Sequence, residues 1–246
     1  MKSSILALIP ARGGSKRLHS KNLRGLGGVP LVSWSIRAAR ASAVVETTCV
    51  STDDPEIARV AADDGAEVPF LRPAELATDT ASSFEVAVHA IEHYRIVAGK
   101  EYDYLMLLQP TSPFRTSADI DAAFGLLESR GAENVVSVCM AEHHPLWCNT
   151  LPKDLSLANF LSDDLKNRRS QDLPTYYRLN GAIYLCLVER LLLEKTFIFS
   201  RASYAYVMPR ERSVDIDTEM DLAFAEFLLG HTTAAGAGPA GGPTER

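Results

Sequence analysis

The chain has 246 residues, 46% of them hydrophobic, and a formal net charge of −6. That is enough to fill one sizeable α/β core with a small insertion, and it argues against a multidomain machine. No apolar run approaches the roughly 20 residues of a membrane-spanning helix, and residues 1–20 lack the pattern of a signal peptide, so a soluble, cytoplasmic protein is expected.

The first 45 residues hold eight cations and no anion, so positive charge is concentrated at the start of an acidic chain. The apolar run at residues 5–9 predicts a buried strand. It feeds IPARGGSKRLHSKN, residues 9–22, in which Arg12, Lys16, Arg17 and Lys21 surround Gly13-Gly14. Open α/β sheets bind ligands beyond strand ends, and glycine frees backbone amides to face anions, so this loop is a candidate polyphosphate site. It has neither Walker spacing nor a GxGxxG, which removes the main support for ATPase and dinucleotide readings. It suits nucleotidyl transfer instead, where fixed cations neutralise the leaving pyrophosphate, with Arg12 and Lys21 as the leading candidates.

A helix is expected to open at Pro30, with Trp34 in its apolar stripe. A strand at 47–51 and a helix begun by Asp53-Asp54-Pro55 and stopped by Gly65 follow, both aspartates reading as capping residues. Next come a strand at 67–71, a long polar loop, and a helix marked by Phe84, Val88 and Ile91. Residues 104–108 form the strongest central strand and end in QPTSPFRTSADI, where Ser117 or Asp119 can cap the next helix.

After a strand at 134–140 the alternation fails, and residues 141–175 read as an insertion or an arm that packs on a partner. Strands at 182–187 and 204–208, a short helix to Lys195 and a last helix near 218–229 complete the domain, residues 1–230. The low-complexity tail 231–246 is expected to be disordered. Cys49, Cys139, Cys148 and Cys186 form no CxxC pair and mostly sit in apolar runs, as reduced core residues do, and His143-His144 has no second cluster at zinc spacing. Alternating strands and helices predict a layered α/β fold with a mostly parallel sheet.

Three later segments carry further chemistry. In SVDIDTE, Asp215 and Asp217 face the same side of an extended stretch about 7 Å apart, a spacing that can hold magnesium together with substrate phosphates and water. The same pattern fits a helix cap at Asp217 beside a solvated Asp215. Gln109, Thr111, Ser112 and Arg115 offer donors for hydroxyls, an amide and a carboxylate after the central strand. Asn180-Gly181 before a buried strand reads by itself as a turn.

Taken in order, IPARGGSKR with Lys21-Asn22, VSTDD at 50–54, RPAELATDTASS at 72–83, LLQPTSPFRT at 107–116, EHHP at 142–145, RLNGAIY at 178–184 and DIDTEMD at 215–221 resemble the CMP-nonulosonate synthetases, the acylneuraminate cytidylyltransferases. The resemblance implies a Rossmann-like three-layer nucleotidyltransferase fold in which residues 141–200 form a dimerisation arm. It implies that Arg12, Gly13, Gly14, Ser15, Lys21 and Asn22 hold the triphosphate of CTP, and that Arg72, Ala81 and Ser83 surround the cytosine. Gln109, Thr111, Ser112, Arg178, Asn180 and Tyr184 would contact or frame an acidic nine-carbon sugar, and Asp215 with Asp217 would bind magnesium.

The chain departs from the family pattern at His19 and Leu179, where proline is usual, and at Ser170, where arginine often stands; Arg169 is assigned in its place. The implied partners are CTP, the sugar acid and a second copy of the chain, with no nucleic acid and no membrane. N-acetylneuraminate or legionaminate is favoured over pseudaminate as the sugar. A Kdo cytidylyltransferase and an inactive CTP-binding regulator are the alternatives; Lys21-Asn22 disfavours the first and the paired aspartates the second.

Overall fold

The computed structural model describes residues 3–166, 168–169 and 172–235. Strand β1 (Ile5–Pro10) is followed by a two-stranded hairpin of β2 (Gly25–Leu26) and β3 (Val29–Pro30), and by helix α1 (Leu31–Arg40). Then come β4 (Thr47–Ser51), α2 (Pro55–Asp63), α3 (Ser83–Ile96), β5 (Tyr104–Leu107), α4 (Ser117–Arg130) and β6 (Asn134–Met140). The chain closes with β7 (Tyr177–Leu187), α5 (Val188–Glu194), β8 (Ser203–Val207) and α6 (Glu219–Ala235).

Six strands form one sheet in the order β4-β1-β5-β7-β6-β8. β7 runs antiparallel to both its neighbours, while the other pairings are parallel. The alternation along β1 explains the layering. Ile5, Ala7 and Ile9 pack with Val32 and Ile36 of α1, Ile57 of α2 and Ile120 of α4. Leu6 and Leu8 pack on the other face with Val86, Ala90 and Ile91 of α3 and Leu191 of α5. Side chains pointing alternately to opposite faces thus bury a helix layer on each side, the three-layer α/β arrangement expected.

The helix starts follow capping chemistry. The Asp54 carboxylate accepts the amides of Glu56 and Ile57 at the head of α2. Ser82 with Glu85 and Thr116 with Asp119 form reciprocal capping boxes on α3 and α4, so Thr116 is the cap of α4 in place of the expected Ser117 or Asp119, and Asp119 is its reciprocal partner.

Four expectations change. Residues 67–71 make only isolated bridges, Cys49 to Glu67 and Thr52 to Leu71, because Pro69 has no amide to donate to a ladder. β7 starts at Tyr177 rather than 182, and Asn180-Gly181 is not a turn; the register against β6 breaks between Val136 and Val138, which makes it a bulge. α6 passes through Gly230 to Ala235, so the first residues of the expected tail are helical, and 236–246 lie outside the described residues. Cys148 is exposed, unlike the other three cysteines. Trp34 is half-buried, edge-on to Phe114, with its indole N–H on the Leu26 carbonyl.

Candidate active site

The parallel strands all end at one edge of the sheet, and antiparallel β7 begins there, since Tyr184 pairs with Leu107 and Arg178 with Cys139. The loops after β1, β4 and β5, the start of β7 and the segment before α6 therefore meet beyond that edge, where open α/β sheets bind ligands. The loops and the segment before α6 enclose a cavity of about 660 Å³, which no residue of β7 lines.

The basic loop is shaped from within and from below. Buried Asn22 donates its side-chain amide to the Arg12 carbonyl at 2.9 Å, closing the loop on itself. The Gly13 N–H donates to Asp53 Oδ1 at 3.0 Å, so Asp53 anchors this loop and only Asp54 caps a helix. A Cβ on Gly13 would lie 2.7 Å from Asp54 Oδ2 and 2.9 Å from its Cβ, whereas one on Gly14 would meet nothing within 4 Å. Gly13 is thus required by close approach, and neither glycine lines the cavity itself. Arg12, Ser15, Lys21 and Asn22 do, joined by Lys16 and Arg17.

Each of the four cations has a carboxylate partner. Arg12 lies 2.7 Å from Asp79, which also pairs with Lys16. Lys21 and Arg17 sit 2.8 and 3.0 Å from the two oxygens of Asp217. The hydrogen bonds from Lys16 and then Arg12 hold the Asp79 carboxyl below the usual carboxylate range. Asp79 escaped the sequence reading, because an aspartate in a polar loop carries no signal of what it will meet in space.

The second wall comes from the long loop after β4. Arg72 is buried, with Nε on Ser51 Oγ at 3.0 Å and a terminal amino group on the Ser51 carbonyl. Burial pushes its guanidinium down to about 10, against the charge of nearby Asp53. Arg72, Ala81 and Ser83 all line the cavity.

Gln109 and Thr111 make the third wall. Ser112 and Asn180 are both fully buried behind it: Ser112 Oγ donates to the Asn180 carbonyl at 2.9 Å, and the Asn180 side chain donates to Ser213 and accepts from Ser137. These two frame the site and do not line it. Tyr184 is half-buried against Phe197, its hydroxyl pushed up by burial and then by the charge of Asp215. Arg178 makes two 2.8 Å bonds to Glu142 and one to the Ser213 carbonyl, and neither it nor Tyr184 is among the lining residues. Arg169 is exposed, pairs with Asp172 at 3.0 Å and is not among the lining residues; Ser170 lies outside the described residues.

The fourth wall holds Asp215 and Asp217, carried there because Arg212 grips the buried Asp119 of α4 at 2.7 Å and the Ile216 amide donates to the Thr111 carbonyl at 2.8 Å. The Asp215 carboxyl is raised by burial, opposed by a hydrogen bond from Thr111, and raised further by the negative charge of Asp217. Among the described residues no group of three or more His, Cys, Asp or Glu could hold a metal. Two adjacent carboxylates opening onto a cationic cavity nevertheless suit a hard divalent cation whose other ligands are phosphate oxygens and water.

Residues 6–226 match the cytidylyltransferase family. The chain is 38% identical over 231 residues to CMP-N,N'-diacetyllegionaminic acid synthase of Legionella pneumophila, covering 92% of this chain and 96% of that one. It is 38% identical to an N-acylneuraminate cytidylyltransferase of Escherichia coli, covering 92% of this chain and 52% of that longer protein. A pseudaminic acid cytidylyltransferase of Campylobacter jejuni is 35% identical, with 91% and 95% of the two chains covered. Among solved structures, a CMP:2-keto-3-deoxy-manno-octonic acid synthetase complexed with CTP superposes with a TM-score of 0.69 over 94% of this chain and 100% of that one; at 17% identity it speaks to the fold alone. With the family match and the relatives spanning the sheet and every wall of the cavity, this chain belongs to the cytidylyltransferases and is a nucleotidyltransferase enzyme.

Proposed function

We propose that the protein is a CMP-nonulosonate synthetase, condensing CTP with a nonulosonic acid to give the CMP-sugar and pyrophosphate. The observation that carries this reading is the meeting, in one cavity, of the cationic loop, the wall bearing Arg72, the donors Gln109 and Thr111, and the pair Asp215 and Asp217. The family and the names of its relatives, which cover legionaminic, sialic and pseudaminic acids, support the same conclusion.

In this reading the triphosphate takes over Arg12, Lys16 and Lys21, three of the four cations that Asp79 and Asp217 now hold, while Arg72, Ala81 and Ser83 surround the cytosine. The sugar acid lies against Gln109 and Thr111, with Arg178 and Tyr184 at its edge. Its anomeric hydroxyl gives up its proton to solvent and its oxygen forms a bond to the α-phosphorus as the bond to the β-phosphate oxygen breaks, and Arg12 and Lys21 neutralise the charge that develops on the departing pyrophosphate. The protein forms no covalent intermediate. Asp215 and Asp217 are the residues that would hold magnesium, whose chemistry is to polarise phosphate oxygens and acidify a nearby hydroxyl.

Of residues 141–200, the part before β7 serves as a dimerisation arm in the same reading, since β7 is an inner strand of the sheet and Leu191 of α5 packs in the core; the exposed Leu151, Leu155 and Leu157, which a second copy would cover, support it. The enzyme would work in the cytoplasm; among the described residues no helix is long and apolar enough to cross a membrane.

The test is an assay of pyrophosphate release from CTP with N-acetylneuraminate, legionaminate, pseudaminate and Kdo. Release with at least one nonulosonic acid and none with Kdo is expected, N-acetylneuraminate or legionaminate being the best substrate. Release with Kdo alone, or CTP binding without release across the panel, overturns the reading.

A further inference from the structure

Arg115 plays no part in the chemistry above, yet its environment is unusual. It is 2% exposed and, among the described residues, pairs with no carboxylate within ion-pair distance. Its Nε donates to the Ala182 carbonyl at 2.6 Å, one terminal amino group to Ser35 Oγ at 3.1 Å, and the other to the Gln109 carbonyl at 2.7 Å. Burial pushes this guanidinium down to about 9, opposed by the charge of Asp119, which it does not contact directly, and burying a cation without a direct ion pair is costly. Its planar fork meets one acceptor each from α1, the loop after β5 and the bulge of β7, a geometry neither lysine nor an apolar residue reproduces.

All three contacts lie behind the wall that Gln109 and Thr111 present to the cavity. The same wall is pinned from its other side. Ser112 Oγ donates to the Asn180 carbonyl, and Gly181, at φ 74°, brings the β7 backbone against the Gln109 side chain so closely that a Cβ would collide with the amide oxygen. The phosphate-facing loop is anchored elsewhere, through Asn22 on Arg12 and Gly13 on Asp53. The two halves of the site therefore have separate supports.

We propose that Arg115 is a positioning residue for the sugar-acid side of the site, holding the Gln109 and Ala182 carbonyls and the Ser35 hydroxyl so that Gln109 and Thr111 keep their place, with little influence on CTP. This rests on the proposed reaction.

The experiment compares wild type with Arg115→Met, Arg115→Lys and Ser35→Ala, measuring the KM for the sugar acid, the Kd for CTP by calorimetry, and amide hydrogen exchange. For Arg115→Met the acid KM rises about tenfold or more while the CTP Kd stays within about threefold. Arg115→Lys, which keeps the charge but loses the fork, falls between it and wild type. Ser35→Ala, a small change that removes one acceptor, raises the acid KM about threefold and decides the matter if Arg115→Met does not fold. Equal losses toward both substrates, or an unchanged acid KM in every folded variant, overturn the proposal.

Should wild type turn over none of the acids, the proposed reaction is what fails, and exchange then judges the clamp. Faster exchange confined to residues 109–112 and 180–182 upholds it. Unchanged or uniformly faster exchange removes it.

Discussion

The Lys21 ammonium lies 2.8 Å from a carboxylate oxygen of Asp217, 196 positions further along the chain. This contact joins the acid-free opening of the sequence to its last acidic motif, and it places the cation proposed to receive the triphosphate beside the carboxylates proposed to hold the metal. Lys21 is mostly enclosed and Arg17 is open to solvent, with side-chain exposures of 17% and 73%. Lys21 is therefore the less screened of the two charges that share Asp217.

Lys21→Ala should lower kcat by about a hundredfold or more, the usual scale for removing one preorganised charge from a developing anion. Its circular dichroism and thermal midpoint should stay near those of wild type. Normal turnover by the folded variant would remove Lys21 from the mechanism.

Asp79 bridges Arg12 and Lys16, so an incoming triphosphate competes with its carboxylate for both. These pairs are partly exposed and individually weak, and Asp79→Asn should tighten CTP binding by about two- to fivefold. Calorimetric titration at fixed ionic strength checks this. Weaker binding would mean that Asp79 helps hold the nucleotide and does not compete with it.

The neighbouring glycines make a paired test. Gly13→Ala would force the loop away from Asp54, whose atoms a Cβ would approach to 2.7 and 2.9 Å, while Gly14→Ala would meet nothing within 4 Å. CTP affinity should fall about tenfold or more for Gly13→Ala, a loss of about 1.4 kcal/mol, and by less than about threefold for Gly14→Ala. Equal effects would contradict the distinction.

Glu142 is held at about 2, below its ordinary 4.5, chiefly by the hydrogen bonds from Arg178. A carboxylate with a depressed folded pKa contributes stability that is fully present above its unfolded value and is lost as pH falls through the folded one. The loss belongs to the window from 4.5 down to about 2. Across that window Glu142→Gln should lose less stability than wild type, as read from denaturant midpoints. Parallel pH profiles for the two proteins would show that the pair contributes nothing to folding.

How much of this was legible depended on whether the determining contact was local. The strands at 47–51 and 134–140 are rich in β-branched residues and buried by the sheet, and both appear with the expected limits. The segment 67–71 has strand-like composition, but Pro69 cannot join a ladder. Asn180-Gly181 has the composition of a turn and of a bulge alike; pairing with β6, remote in sequence, decides between them. The motifs located most of the cavity's wall, yet Ser112 and Asn180 proved to be buried supports, and the roles of Asp53, Asp79 and Glu142 arise only where separate loops meet. Arg115 belongs to a recognisable motif, but its three acceptors come from three elements that only the fold brings together.

The most direct measurement is phosphorus NMR of the enzyme with CTP, magnesium and a sugar acid it accepts, run beside the Asp215→Asn, Asp217→Asn double variant. With wild type the triphosphate signals should disappear as those of a sugar phosphodiester and of pyrophosphate grow in equal amounts, and the double variant should leave CTP intact. CTP that stays unchanged with wild type, that is hydrolysed without a sugar ester forming, or that is consumed equally by the double variant would contradict the account.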